Sequence, residues 1–404
     1  MKARFADAVG RRPGRVRRLG TLAAAPVAAA VCLAACSNGG GDSGAAAGGG
    51  GDSWVIGGIV DQTGSAANAG AASKLAFQLW VDKFNAEGGA GGRKLEVKYC
   101  DSKSTPAGGA QCAAQVGSVN SHVVVLMTGL PAAQSAQTRL ANQVSLSIIP
   151  VMLPKGGSKS FQVVPLFGTV VQPMIAMAKS NNIGTLGVIY TSDSSGTAQL
   201  AAIKAAAASA GLSVVASPME PTATDVTPQL VQLRSQGAGL VFSATLGSPT
   251  NVVLSSAGTL GLTLPVVVGN GNVTNNFLRS LSGGVPKNLF GIATMAKGSA
   301  FPPAVTKEWT SFQADYQQAI GKPVDSVGSS FAYASCLMKA AIDDTKASSA
   351  DAIQKYLLSK TTTCLGSPLT FSNPALNVAS GVPTQVVKAT DEAGGSWVPV
   401  GENF

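Results

Sequence analysis

Residues 83–101 read KFNAEGGAGGRKLEVKYCD, with Gly88, Gly89, Gly91 and Gly92 beside Arg93 and Lys94. Glycines next to cations cradle phosphate when they sit between a strand and the start of a helix, because the first amides of the helix then face the anion. Here the order is reversed. Phe77, Trp80/Val81 and Phe84 recur at helical spacing before the glycines, and KLEVKY (94–99) alternates like a strand after them. A helix C-terminus carries a negative partial charge, which repels anions. The glycines are therefore expected to end a helix and aim a strand, not to bind a nucleotide.

Other reactive patterns are sparse. The single histidine, His122, opens an apolar strand and reads as structural. The one G-x-G-x-x-G, Gly39 to Gly44, has no strand before it. No G-x-S-x-G, H-E-x-x-H, P-loop or calcium loop occurs, and no nucleophile–base pair assembles, so neither an enzyme nor a cofactor is expected. Zinc is disfavoured by the lack of a C-x-x-C and by the lone histidine.

The net charge of +9 is concentrated at the start. Residues 1–35 hold seven basic residues and one acidic; the remainder has 22 basic and 19 acidic, a net of +3. That leaves no basic patch arguing for nucleic acid. The basic start precedes a 17-residue apolar run containing Pro26 and ending in LAAC, Leu33 to Cys36. A membrane span needs about 20 apolar residues, so residues 1–35 read as a secretory signal. The paired arginines of RVRRLG leave a twin-arginine export route open.

LAAC resembles a bacterial lipobox, which implies cleavage before Cys36 and diacylglycerol on its sulfur. An ordinary signal with an incidental cysteine is the alternative. SNGGGDSGAAAGGGGDS has almost no side chains able to pack, so residues 36–53 read as a flexible tether. Cys100, Cys112, Cys336 and Cys364 remain, an even number in an exported chain. Pairing Cys100 with Cys112 and Cys336 with Cys364 is the sequence-local choice among three; free buried thiols are the alternative.

Beyond Trp54 the chain alternates between strands and helices. Apolar strands are expected at 54–60, 122–127, 146–150, 185–190, 239–243 and 265–269. Helices are expected at 132–143, 169–181, 196–210, 226–236 and 249–260, then at 302–320, 326–345 and 349–358, and a hairpin at 383–400 turned by Gly394-Gly395. Such alternation, occurring twice, implies an α/β fold of two doubly wound parallel-sheet lobes.

Residues 54–104 resemble the start of the leucine/isoleucine/valine-type periplasmic binding proteins. The resemblance rests on Thr63-Gly64 after the first strand, Asn85 to Gly89 ending the helix, Gly92-Arg93-Lys94 and Asp101, in that order. It continues through FQVVPLFGTVVQPMIAMA, GVIYTSDSSGTAQLAAIKAA and PLTF (368–371), over roughly residues 54–400. It implies two lobes joined by three hinge crossings, near 162–165, 291–295 and 368–372. Lobe I would hold 54–163 plus 293–369 and lobe II 164–292 plus 370–404. It further implies a monomeric, extracytoplasmic receptor of an ABC importer, held at the outer membrane face through Cys36, with an ABC permease as partner.

Open parallel sheets bind ligands beyond the carboxyl ends of their strands. Those loops supply the candidate ligand-binding residues Gln62, Thr63, Asn68, Leu130, Ala132, Gln134, Met152, Ser195, Thr245, Leu246, Asn270 and Asn272. Any of them also reads as an ordinary loop residue. By resemblance, amino-acid binders hold the carboxylate with Ser or Thr in the second and third loops, hold the ammonium with an acid in the sixth, and close with tyrosines in the fourth and fifth. This chain has Ala132-Ala133, Pro150-Val151-Met152, Asn270, Ser195 and Thr245 there. An ammonium buried without a carboxylate is costly, so a standard α-amino acid is disfavoured and a neutral or mostly apolar ligand is expected, although backbone amides at the helix starts could receive a carboxylate without any side-chain mark. Asp61 or Asp193 would be the substitute acid, unless each caps a helix or turn. The rivals are a sensor of the same fold, an exported amide or ester hydrolase, and a structural lipoprotein with a decayed cleft.

Overall fold

The computed structural model describes residues 53–400 apart from 120, 283, 296–302, 347 and 392–394. The signal, Cys36 and nearly all of the tether lie outside the described residues. The chain runs β1 (Ser53–Val60), α1 (Ala67–Ala86), β2 (Lys94–Asp101), α2 (Pro106–Gly117), β3 (Val123–Met127), α3 (Leu130–Gln137), β4 (Val144–Ser147) and β5 (Ser160–Gln162). Next come α4 (Phe167–Val170), α5 (Gln172–Ser180), β6 (Thr185–Thr191), α6 (Ser194–Ser209), β7 (Ser213–Met219), α7 (Thr227–Ser235), β8 (Leu240–Ala244), α8 (Ser248–Thr259) and β9 (Val266–Val268). A 3-10 turn (Asn270–Asn272), α9 (Asn275–Arg279), β10 (Leu289–Ala293), α10 (Pro303–Ile320), α11 (Ser326–Thr345) and α12 (Ala350–Ser359) follow. Four short strands end the chain, β11 (Thr362–Cys364), β12 (Ser367–Leu369), β13 (Gln385–Thr390) and β14 (Ser396–Pro399).

Among the described residues two large sheets form, as the alternation predicts, beside a small β11–β12 hairpin. The first is wholly parallel in the order β2-β1-β3-β4-β5. The second runs β14-β13-β10-β9-β8-β6-β7, parallel except where β13 and β14 add an antiparallel edge. Central strands are buried on both faces: Val123, Val125 and Met127 of β3 join one apolar cluster, and Val124 and Leu126 join another. That requires helices on both sides of the sheet.

The glycines of the opening segment turn the chain. After α1, Gly88, Gly89, Gly91 and Gly92 all adopt positive φ, and the Gly89 amide donates to the Phe84 carbonyl at 2.6 Å. Residues with a Cβ rarely enter that region.

Some elements differ from expectation. The helix expected at 169–181 is two, α4 and α5, because Pro173 supplies no amide to continue one ladder. The strands β5, β10, β11 and β12 and helix α9 lack a periodic signature long enough to read. The chain leaves the first sheet after Gln162 and the second after Ala293. The third passage comes later than residues 368–372. Asn377 holds residues 370–380 along β5, donating to the carbonyls of Ser158 and Ser160 at 2.8 and 3.0 Å, and Gln162 bridges to Val378.

Disulfides join Cys100 to Cys112 and Cys336 to Cys364. The first fixes β2 to α2; the second fixes α11 to the β11–β12 hairpin that leads into the third passage. Helix α11 packs along α1, through contacts such as Phe77 against Phe331. Its start touches the other lobe: Asp325 caps α11 through the Gly328 amide (2.8 Å) and also accepts from the Asn275 amide (3.0 Å). Burial pushes the Asp325 carboxyl above its ordinary range, against the pull of those two amides.

Candidate functional site

A cavity with about 90 Å³ of water-accessible space lies where the carboxyl ends of the two sheets face each other. That volume is well above the roughly 10–15 Å³ a cavity needs to admit a single water. The first lobe contributes Asp61 after β1, Met127 to Gly129 after β3 and Ile148 to Val151 after β4, while Phe167 at the start of α4 packs on Phe242 of the second lobe. Helix α1 presents Ala69, Gly70 and Ser73. The second lobe contributes Ser195 and Gln199 from α6, Thr245 and Leu246 after β8, and Gly269 to Asn272 after β9. Val327 comes from α11.

Asp61 is the one acid in this lining, and it is 1 % exposed. Its Oδ1 accepts from the hydroxyls of Ser102 and Thr128 and from the Ser104 amide; its Oδ2 accepts from the Gly129 amide at 2.8 Å. The carboxylate thus knots the tips of β1, β2 and β3 and is engaged by its own lobe. Asp193 caps α6, accepting from the Gly196 amide and the Thr191 hydroxyl, both at 2.9 Å. Among the described residues, no Lys, Arg or His lines the cavity.

The two lobes touch directly across the cleft mouth. The Ser248 amide donates to the Ser65 carbonyl at 3.1 Å, main chain to main chain. Gly247, between the two surfaces, has φ 68° and ψ −126°, and a Cβ there would sit 2.0 Å from the Ser65 oxygen. Asn272 braces this loop: its Oδ1 accepts from the Gly247 amide (2.9 Å) and its Nδ2 donates to the Thr245 carbonyl (2.8 Å). The Ser194 hydroxyl also donates to Gln134 Oε1 at 3.4 Å.

Of the residues predicted from sequence, Ser195, Thr245, Leu246, Asn270 and Asn272 line the cavity. The other seven lie outside the lining. Gln62 and Thr63 are exposed and bonded to Lys74 and Asp101. Asn68 is on α1 but off the face carrying Ala66, Ala69, Gly70 and Ser73. Leu130, Ala132 and Met152 are buried; Ala132 packs so closely on α2 that a Cβ on Gly109 would meet its carbonyl at 2.1 Å. Gln134 is an exposed rim residue. Gln62 and Thr63 are drawn toward Asp101 instead of the cleft, and Leu130, Ala132 and Gln134 lie on α3 away from it. Sequence reasoning missed Ile148, Ile149, Phe167, Gln199 and Val327. Small residues at helical spacing on α1 were the readable signal for its cleft face.

A sequence profile described as periplasmic binding protein matches residues 53–385. No curated protein matches the chain significantly. Solved structures share the fold. A fatty acid ABC transporter substrate-binding protein from Thermomonospora curvata is 20 % identical over 87 % of this chain and 92 % of its own, TM-score 0.70. LivJ from Streptococcus pneumoniae, in complex with isoleucine, is 17 % identical over 86 % and 100 %, TM-score 0.69. A Rhodopseudomonas palustris solute-binding protein in complex with benzoate is 13 % identical over 86 % and 96 %, TM-score 0.71. Among the described residues, no helix is long and apolar enough to cross a membrane. With its two parallel-sheet lobes and a profile match across most of its length, the chain belongs to the leucine/isoleucine/valine-type periplasmic binding proteins and is a binding protein rather than an enzyme.

Proposed function

We propose that the chain is the lipid-anchored receptor of an ABC importer and closes around a small, uncharged, mostly apolar molecule. The observation carrying this reading is the absence of a free charge in the lining: its one acid is engaged by four donors of its own lobe. A buried ammonium or carboxylate ligand would lack a counter-charge, at a cost of several kcal/mol. Solved structures of the same fold in complex with isoleucine and with benzoate support a guest of small-molecule size. Residues 1–35 are read as the export signal, Cys36 as the lipid site and the glycine-rich tether as the leash of a monomeric receptor. Closure favours the state that a permease recognises, a population shift driven by contacts made only when the lobes meet.

Native mass spectrometry of the chain after incubation with spent growth medium tests this reading. One intact small molecule per chain, released unchanged on denaturation, is expected; release of a cleaved product would favour the hydrolase. The anchor has its own test. Cys36→Ser moves the protein from the membrane fraction to the soluble extracytoplasmic fraction; continued membrane association of the variant would contradict lipidation.

A further inference from the structure

We propose that Ser195, Gln199 and Asn270 form a subsite for one uncharged polar head of the ligand, a carboxamide or a hydroxyl. The first-lobe wall then holds the apolar remainder. This deepens the receptor reading above and rests on it.

Most polar side chains of the lining are engaged within the protein. Asp61 is held as described, and Thr128 donates its hydroxyl to that carboxylate. Ser73 donates to the Ala69 carbonyl at 2.7 Å. Thr245 lies 2.7 Å from both Ser243 and Thr250 hydroxyls. Asn272 braces the 245–247 loop through both ends of its amide.

Three groups keep capacity. Ser195 Oγ accepts from Gln199 Nε2 at 3.3 Å, which leaves the serine proton available. Gln199 Oε1 stands 3.5 Å from where a Cβ on Gly269 would be, so it faces the loop that carries Asn270. The Asn270 amide has no partner among the described residues. Gln199 and Asn270 are only 8 % and 6 % exposed. Neither has a side-chain atom fully enclosed without a partner; both open on the cavity, where a ligand can pair them.

Together they offer a hydroxyl donor, a carbonyl acceptor, and an amide with both polarities. That set matches a carboxamide or hydroxyl and supplies no full charge to a carboxylate or ammonium. Opposite stand Ile148, Ile149 and Val151 of the first lobe, which offer apolar side chains, and Phe167 adds an apolar ring from the second lobe. A site built to hydrogen-bond one group rejects analogues lacking it, because its own polar atoms are then left unpaired.

The test is calorimetry of the lipid-free mature chain with probes that share one branched body: isovaleramide, 3-methylbutan-1-ol, isovalerate, isopentylamine and L-leucine. Isovaleramide or the alcohol should bind at least about tenfold more tightly than the other three. Asn270→Leu and Gln199→Leu should each weaken isovaleramide about tenfold without moving the ligand-free thermal midpoint. Asn270→Asp should shift the preference toward isopentylamine. Wild-type preference for isovalerate, isopentylamine or leucine would overturn the subsite, as would unchanged isovaleramide affinity in Asn270→Leu. If no probe binds although growth medium yields a bound compound, the subsite is wrong and the receptor reading stands; if medium also yields nothing, both fail.

Discussion

Gly247→Ala should leave each lobe folded and hold the cleft open. At φ 68° and ψ −126°, Gly247 occupies backbone space that is nearly closed to residues with a Cβ. The added carbon would also meet the Ser65 carbonyl at 2.0 Å, well inside contact distance. That clash exists only when the lobes meet, so the open form escapes it by keeping them apart. The backbone strain, about 1–3 kcal/mol, is carried by the second lobe in either form, whereas the clash opposes only the closed form, and every 1.4 kcal/mol against that form weakens binding about tenfold. The expected result is a loss of affinity of tenfold or more for whichever compound stabilises the wild type most. Small-angle scattering should show that saturating ligand compacts the wild type and fails to compact the variant. A variant that compacts and binds like the wild type would show that the Ser65–Ser248 contact is incidental to closure.

Asp61→Asn should cost both stability and binding. The carboxylate joins three strand tips through two hydroxyls and two amides, at 1 % exposure. An asparagine keeps the shape but must turn its N–H₂ toward a backbone donor, either the Gly129 amide or the Ser104 amide, since only the Ser102 and Thr128 hydroxyls can rotate to accept. Hydrogen bonds to a buried charge are worth about 1.5–3 kcal/mol each and do not add fully. A loss of about 3 kcal/mol is expected, which lowers the thermal midpoint by roughly 6–12 °C at the 2–4 °C per kcal/mol typical of larger domains. The same variant separates two roles. If Asp61 served a ligand ammonium instead, the ligand-free midpoint would hardly move while affinity for an amine collapsed.

The architecture was legible because its central strands are short, unbroken apolar runs. HVVVLM (122–127) and GLVFS (239–243) announce themselves, and the glycines after α1 tell where the helix must stop. Elements without a run of their own were not legible. The strand β5 is three residues long and is defined by its neighbours β4 and Asn377. The strand β10, LFGIA, is recognised only once β9 and β13 flank it.

The site was legible loop by loop but not side chain by side chain. Ser195 and Asn270 could be located because each stands just beyond a readable strand. Gln199 could not, because it depends on one extra turn of α6. Asn272 shows the limit most plainly. Its type suggests a ligand amide, yet the fold directs both ends of that amide to residues 245–247. Cross-lobe contacts such as Ser65 with Ser248 join residues 183 positions apart, as their numbers show, and no local pattern encodes them.

The two lobes are proposed to close on a small guest without a full charge. Thermal unfolding of the mature chain across a metabolite panel sorted by charge tests it most directly. A ligand at 100 times its Kd adds about 2.7 kcal/mol, a readily visible rise in midpoint. Uncharged amides, alcohols or aromatics should raise the midpoint while α-amino acids leave it unchanged. Stabilisation by amino acids with no response to any neutral compound would contradict the account.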